Sequence, residues 1–337
     1  MFTAISRRVS KFRDQTAVRR SFSHVAGPKR FDLADDEAAL VCVGRNTAFY
    51  LPTFFDWHRA LGIEKFIYVD NGSSDASIEI VSSQPDTIVA SCSASFKDHE
   101  GLIRLYATQL YARGGWRLVV DADELFDYLG SQHVGLRRLL GELNASGKTA
   151  VVAQMLDMIP DGGLADIRNE TYQAAIESCA YYDISSIEAR DYYSEDIEFK
   201  WFLQKNQMSN PQIKFNFGGI RKTLFGEECC LSKHPLFKPG PGVLVLPHPH
   251  VSTGLICADF TALLRHYKFT GDFVKRELDL LSDGRVAHGE TAQRMRTIGE
   301  RPDMTFIQPT SERYTSPEAL LEKGFLVASE TAHKNAS

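Results

Sequence analysis

Apolar residues fall into short runs that alternate with stretches of helical spacing. Ala38 to Val43 is one such run, and Lys65 to Val69 is another that stops at Asp70. Between them Phe49, Tyr50, Phe54, Trp57 and His58 share one side of a helix spanning Asn46 to Leu61. The alternation continues with a helix over Ser77 to Ser82, a strand over Thr87 to Ser91 and a helix over Leu102 to Arg113. Strands follow at Trp116 to Val120, which runs into Asp121, and at Thr149 to Leu156. Strands alternating with helices predict an α/β fold with a Rossmann-like, mostly parallel sheet flanked by helices. Ligands of such sheets bind beyond the carboxyl ends of the strands, which is where Asn46, Asp70 and Asp121 fall. Later in the chain the spacing predicts strands within Gln212 to Phe225 and Gly242 to Pro247, a helix over Phe260 to Leu280, and disorder from Thr331 to Ser337.

Composition narrows the class. With 337 residues, 43% of them hydrophobic and 24% charged, the chain can close a sizeable core. A net charge of −5 supplies no field for nucleic acid, which is excluded as a partner. No stretch approaches the roughly 20 apolar residues of a membrane span, and the first 30 lack the apolar block of a secretory signal. Those 30 residues hold eight basic side chains and one acid, whereas the rest hold 30 and 42. Phe2, Ile5, Val9 and Phe12 recur at helical spacing among Arg7, Arg8, Lys11 and Arg13, as in a basic amphipathic helix lying on an anionic membrane. A plain basic tail and an organellar presequence fit the same residues. Six cysteines without zinc spacing read as reduced core residues, which predicts a cytoplasmic protein, peripheral at the inner face of the membrane if the basic segment binds there.

The strongest local signal is Trp116 to Glu124, an apolar strand that runs directly into Asp121, Asp123 and Glu124. So much negative charge at a strand end calls for a compensating cation, and Asp121 and Asp123 can turn toward one Mn²⁺ or Mg²⁺. Capping of the next helix is the simpler alternative. Asp70-Asn71-Gly72-Ser73-Ser74-Asp75 forms a tight turn, with Asp70 placed to accept hydrogen bonds from a nucleobase or ribose.

Taken in order, Asn46 to His58, Asp70 to Asp75 and Trp116 to Leu125 resemble the bacterial family 2-like group of GT-A glycosyltransferases, which carries a W-x4-D-x-D-E motif. Weaker likeness extends through Asp157-Met158, Gly218 to Arg221, Leu231 to Leu236 and Leu263 to Lys268, while Thr47 and Thr53 stand where the group has acids. The resemblance implies a GT-A domain over residues 31–285, with a nucleotide-binding half at 31–149 and an acceptor half at 150–285. It is flanked by the basic tail at 1–30 and an extension at 286–337. It also implies an inverting hexosyl transfer from a nucleotide-sugar donor, a UDP-sugar foremost, to a glycan or lipid-linked acceptor, with Mn²⁺ or Mg²⁺ on Asp121 and Asp123. His266 and His250 are the candidate late ligands. Asn46, Asp70, Arg221 and Lys268 are expected around the donor, and Asp157, at a strand end, is the candidate base. A catalytically silent sugar-nucleotide-binding protein and a metal-dependent nucleotidyltransferase are the alternatives.

Overall fold

The computed structural model describes residues 13–167, 171–284 and 289–329. The apolar runs assemble into one nine-stranded sheet. Its strands are β1 (Phe22–Ala26), β2 (Ala38–Gly44), β3 (Lys65–Asp70), β4 (Thr87–Cys92), β5 (Trp116–Val119), β6 (Glu124–Asp127), β7 (Ala150–Asp157), β8 (Ser232–Phe237) and β9 (Cys257–His266). They lie in the order β1-β4-β3-β2-β5-β8-β7-β9-β6. The strands β2, β3, β4, β5, β7 and β9 run one way, and β1, β8 and β6 run against them. The sheet is therefore mostly parallel, as expected. Chain order reverses between β2 and β5, which makes the gap beyond their carboxyl ends a topological switch point.

Burial on both faces explains the unbroken apolar runs. Along β2, Ala38, Leu40 and Cys42 join a cluster with Leu51, Phe54 and Leu136, whereas Ala39, Val41 and Val43 join a second with Ile103 and Ala107. Helices Leu51–Ala60 and Leu136–Ala145 thus cover one face, and helix Phe96–Leu110 covers the other. The first helix also closes an edge. Trp57 Nε1 donates to the Phe126 carbonyl at 2.7 Å, and the Phe126 N–H donates to His58 Nε2 at 3.3 Å, so β6 offers no open pairing groups there. His58 Nδ1 donates to the Phe54 carbonyl at 2.8 Å. Burial pushes this imidazole down to about 3, which keeps it neutral.

Several expectations need correction. The helix expected over Phe260 to Leu280 is instead β9 followed by helix Phe273–Ser282. An interior strand buried on both faces has no alternation, so its apolar run mimics helical spacing. Within Gln212 to Phe225, strand Lys214–Gly218 turns at Gly218 and Gly219, both at positive φ, into helix Ile220–Phe225. The helix expected from Leu102 begins earlier, at Phe96. The basic segment is not all tail, because residues 13–20 are helical and Phe22–Ala26 is the edge strand β1. The Phe2, Ile5, Val9 and Phe12 stripe lies outside the described residues, as does Thr331 to Ser337. The C-terminal extension packs into the main core through Leu320, Phe325 and Leu326. Thr261 and Val327 exchange hydrogen bonds of 2.8 and 2.9 Å. No helix among the described residues is long and apolar enough to cross a membrane.

Candidate active site at the carboxyl ends of the strands

A tight turn between β5 and β6 sets the three acids. Val120 N–H still bonds to the Val41 carbonyl at 3.2 Å, and Glu124 N–H closes the turn onto the Asp121 carbonyl at 3.0 Å. Glu124 returns the contact, its Oε2 accepting from Asp121 N–H at 3.0 Å, and is otherwise buried. Asp121 and Asp123 are left partly exposed, with 32% and 24% of their side-chain surfaces open.

Asp123 meets His266 and Asp157. In the β7–β9 ladder His266 stands opposite Asp157, and its Nδ1 donates to Asp157 Oδ1 at 2.6 Å. On its other side Nε2 lies 3.4 Å from Asp123 Oδ2. Burial alone would lower the histidine, but Asp123 and then Asp157 outweigh it and push His266 up to about 9. The second oxygen of Asp157 accepts from Arg221 Nε at 2.8 Å. Burial works against the Asp157 carboxylate, yet Arg221 and His266 hold it well below the usual range. Two of the expected site residues thus have partners within the protein. Asp157 is buried with both oxygens engaged, one by His266 and one by Arg221, which suits it to orienting the imidazole. Arg221, expected at the donor, is buried and paired with Asp157.

Asp121 is held differently. Arg104 Nη2 reaches Asp121 Oδ1 at 2.9 Å, and Lys233 Nζ reaches Asp121 Oδ2 at 3.5 Å while also pairing with Glu124. Arg104 bonds in addition to Glu100 at 3.0 Å. Burial notwithstanding, Arg104 and then Lys233 keep Asp121 well below the usual carboxylate range. Two side-chain cations thus balance the first acid, and among the described residues no three His, Cys, Asp or Glu converge on a metal position. His250 belongs elsewhere: its Nδ1 contacts the Ser232 carbonyl at 3.2 Å, and burial, then Lys233, keeps its ring neutral. Of the expected set of Asp121, Asp123, His266 and His250, only Asp123 and His266 lie against each other, while Asp121 is paired with Arg104 and Lys233 and His250 faces Ser232. Arg104 gave no signal in the sequence, because Glu100 and Arg104 at i,i+4 look like any exposed helical pair.

At the other side of the switch point, Asp70 is buried and accepts from the N–H groups of Gly72 at 2.9 Å and Ser73 at 3.1 Å. Asn46, at a φ of 54°, is exposed and accepts from Ser74 N–H at 2.8 Å, which locks the β2 and β3 loops together. Thr47, where the resembling group has an acid, hydrogen-bonds Tyr68 Oη at 2.6 Å. These loops border an open groove of about 660 Å³ lined by Asn71, Gly72, Ser93, Phe96, Lys97 and Asp283. Arg45 crosses toward Asp283 at 2.9 Å, and Lys97 Nζ donates to the Gly284 carbonyl at 3.1 Å, so residues 283–284 close one end.

No protein-family model matches the chain, and no curated protein matches it. Among solved structures, UDP-glucose pyrophosphorylase from Acinetobacter baumanii is similar at 17% identity with a TM-score of 0.18. That match covers 37% of this chain and 57% of the other, little more than half of the pyrophosphorylase. The α/β assignment accordingly rests on the chain's own strand order.

Proposed function

We propose that the chain is a metal-dependent, inverting glycosyltransferase moving a sugar from a nucleotide-sugar donor, a UDP-sugar foremost, to a hydroxyl of a glycan or lipid-linked acceptor. The observation that carries this proposal is the line Asp157–His266–Asp123, formed at the carboxyl ends of β7 and β9 and the amino end of the antiparallel β6. An imidazole fixed at Nδ1 by a buried carboxylate, with Nε2 aimed at a second and partly exposed one, would become a metal-ligating histidine with its orienting partner once an ion displaces the Nε2 proton that otherwise pairs the ring with Asp123. The donor chemistry fits as well, since one carboxylate oxygen and one imidazole nitrogen suit Mn²⁺ better than Mg²⁺, which prefers oxygen alone. Asp123 and His266 would hold the ion, and Asp121 would remain the counter-charge of Arg104 and Lys233. Such an ion supplies electrostatic stabilisation to the negative charge that grows on a departing nucleoside diphosphate.

The protein's own groups complete the assignment. The groove beyond β3 and β4 is the place for the nucleoside, with Asp70 bracing its wall and Asn46 its rim. Lys268, two residues past His266, is the cation for the diphosphate. Asp161 replaces Asp157 as candidate base: it is exposed in a second groove, of about 360 Å³, with Glu177, Tyr181 and Arg313.

Calorimetry with nucleoside diphosphates and their sugars, with and without Mn²⁺, followed by product analysis, tests the proposal. Metal-dependent binding and release of nucleoside diphosphate are expected. Release of pyrophosphate from a nucleoside triphosphate would make the chain a nucleotidyltransferase, and binding without turnover would make it a silent binding protein.

A further inference from the structure

Four charged side chains form a line that leads from the site into the protein. Lys268 Nζ lies 3.3 Å from Glu277 Oε1, and the other oxygen of Glu277 pairs with Arg294 Nη1. Arg294 grips Glu227 with two parallel bonds, Nε to Oε1 at 2.8 Å and Nη2 to Oε2 at 3.0 Å. Side-chain exposure falls along the line from 22% at Lys268 to 8% at Glu277, 2% at Arg294 and 0% at Glu227. Glu277 and Arg294 come from helices Phe273–Ser282 and Glu290–Glu300, which add no strand to the sheet.

Burying an arginine with two glutamates is costly, and apolar residues of like volume would serve stability as well or better. The arrangement needs another reason, and its outer end supplies one. Lys268 directly follows Tyr267, whose N–H donates to the Asp123 carbonyl at 2.8 Å. The Lys268 charge also contributes to holding the Asp123 carboxyl below the usual range, behind His266. A lysine on a four-carbon stem is a mobile charge, and fixing it before a ligand arrives removes an entropic cost of binding. Glu277 supplies that constraint, and Arg294, clamped by Glu227, keeps Glu277 from turning away.

We infer that Glu277 and Arg294 are positioning residues that hold the Lys268 ammonium at the diphosphate end of the donor site, an inference that rests on the nucleotide-sugar reading above. The probe is inorganic pyrophosphate in the presence of Mn²⁺, titrated calorimetrically into the full chain. Lys268→Ala should weaken its affinity about tenfold, the effect of losing one charged hydrogen bond. Glu277→Gln should weaken it several-fold, and the double variant should bind within about twofold of Lys268→Ala alone, because the two residues act as a unit. A purely structural Glu277 would lower thermal stability without this coupling. Additive losses, or unchanged pyrophosphate affinity in Glu277→Gln, would overturn the inference. Arg294→Lys, which keeps the charge and loses the two-pronged grip, should resemble Glu277→Gln. Should that variant not fold, the Glu277 cycle still decides. Failure of the glycosyltransferase reading shows separately: coupled pyrophosphate binding without sugar transfer refutes the transfer and leaves the positioning line standing. Transfer with pyrophosphate affinity indifferent to Lys268→Ala does the reverse.

Discussion

His266 and Asp157, 109 positions apart in the chain, face each other across adjacent parallel strands and share a hydrogen bond of 2.6 Å. One oxygen of the carboxylate thereby decides which way the imidazole points. Asp157→Asn should lower both Mn²⁺ affinity and sugar transfer by about 10- to 100-fold, the usual cost of losing such a partner. Paramagnetic resonance of bound Mn²⁺ separates this from a base, whose loss would leave metal affinity intact.

The two acids of the motif should behave differently. Asp123→Ala should abolish metal-dependent nucleotide binding, whereas Asp121→Ala should mainly reduce stability, because it leaves Arg104 and Lys233 without their shared counter-charge. The expected destabilisation is about 1 kcal/mol, read from urea unfolding, because Glu100 still pairs with Arg104 and Glu124 with Lys233. Equal losses of Mn²⁺ affinity in both variants would restore Asp121 as a ligand.

Asp70→Ala removes the acceptor for two turn N–H groups. Unfolding free energy should fall by about 1 to 2 kcal/mol. Nucleotide affinity should fall as well, through loss of the turn's shape, and Asp70→Asn, which keeps one acceptor oxygen, should recover part of both.

Acid should destabilise the fold before its carboxylates titrate. Burial pushes both His58 and His234 down to about 3, while an unfolded histidine titrates near 6.5. Below about pH 6.5 the unfolded chain therefore binds protons that the folded chain refuses, and each histidine costs up to about 2 kcal/mol by pH 5. Urea midpoints should drop steadily from pH 7 to pH 5. A flat profile would mean that the two rings are not buried neutral.

Truncation distinguishes the tail from the sheet. Removing residues 1–12, which carry the Phe2, Ile5, Val9 and Phe12 stripe, should abolish cosedimentation with anionic vesicles. Removing residues 1–30 also deletes β1 and exposes β4 as an edge, so the melting temperature should fall by several degrees.

The parallel half of the sheet was legible because strands buried on both faces are written as apolar runs, and a strand ending in Asp70 or Asp121 announces where its carboxyl end lies. Partnership across long separations was not. Nothing in Asp157 as a letter says that Arg221 and His266 will occupy both of its oxygens, so a rigid strand-end carboxylate read as a base. Arg104 was silent for a similar reason, its destination being fixed by how helix Phe96–Leu110 lies on the sheet. Trp57 and His58, by contrast, stand out as motif letters in the sequence, while the hydrogen bonds by which they seal β6 depend on the fold.

Strand β8 runs against its neighbours and joins β5 to β7. During synthesis, the chain up to Asp157 has both of those strands but no ladder between them, and their facing edges stay unpaired until residues 232–237 leave the ribosome. The β5 side and the β7 side of the sheet therefore come into register in one late event. An isolated fragment ending near residue 149 would carry the Asp-x-Asp letters and an open β5 edge, and should aggregate rather than bind nucleotide.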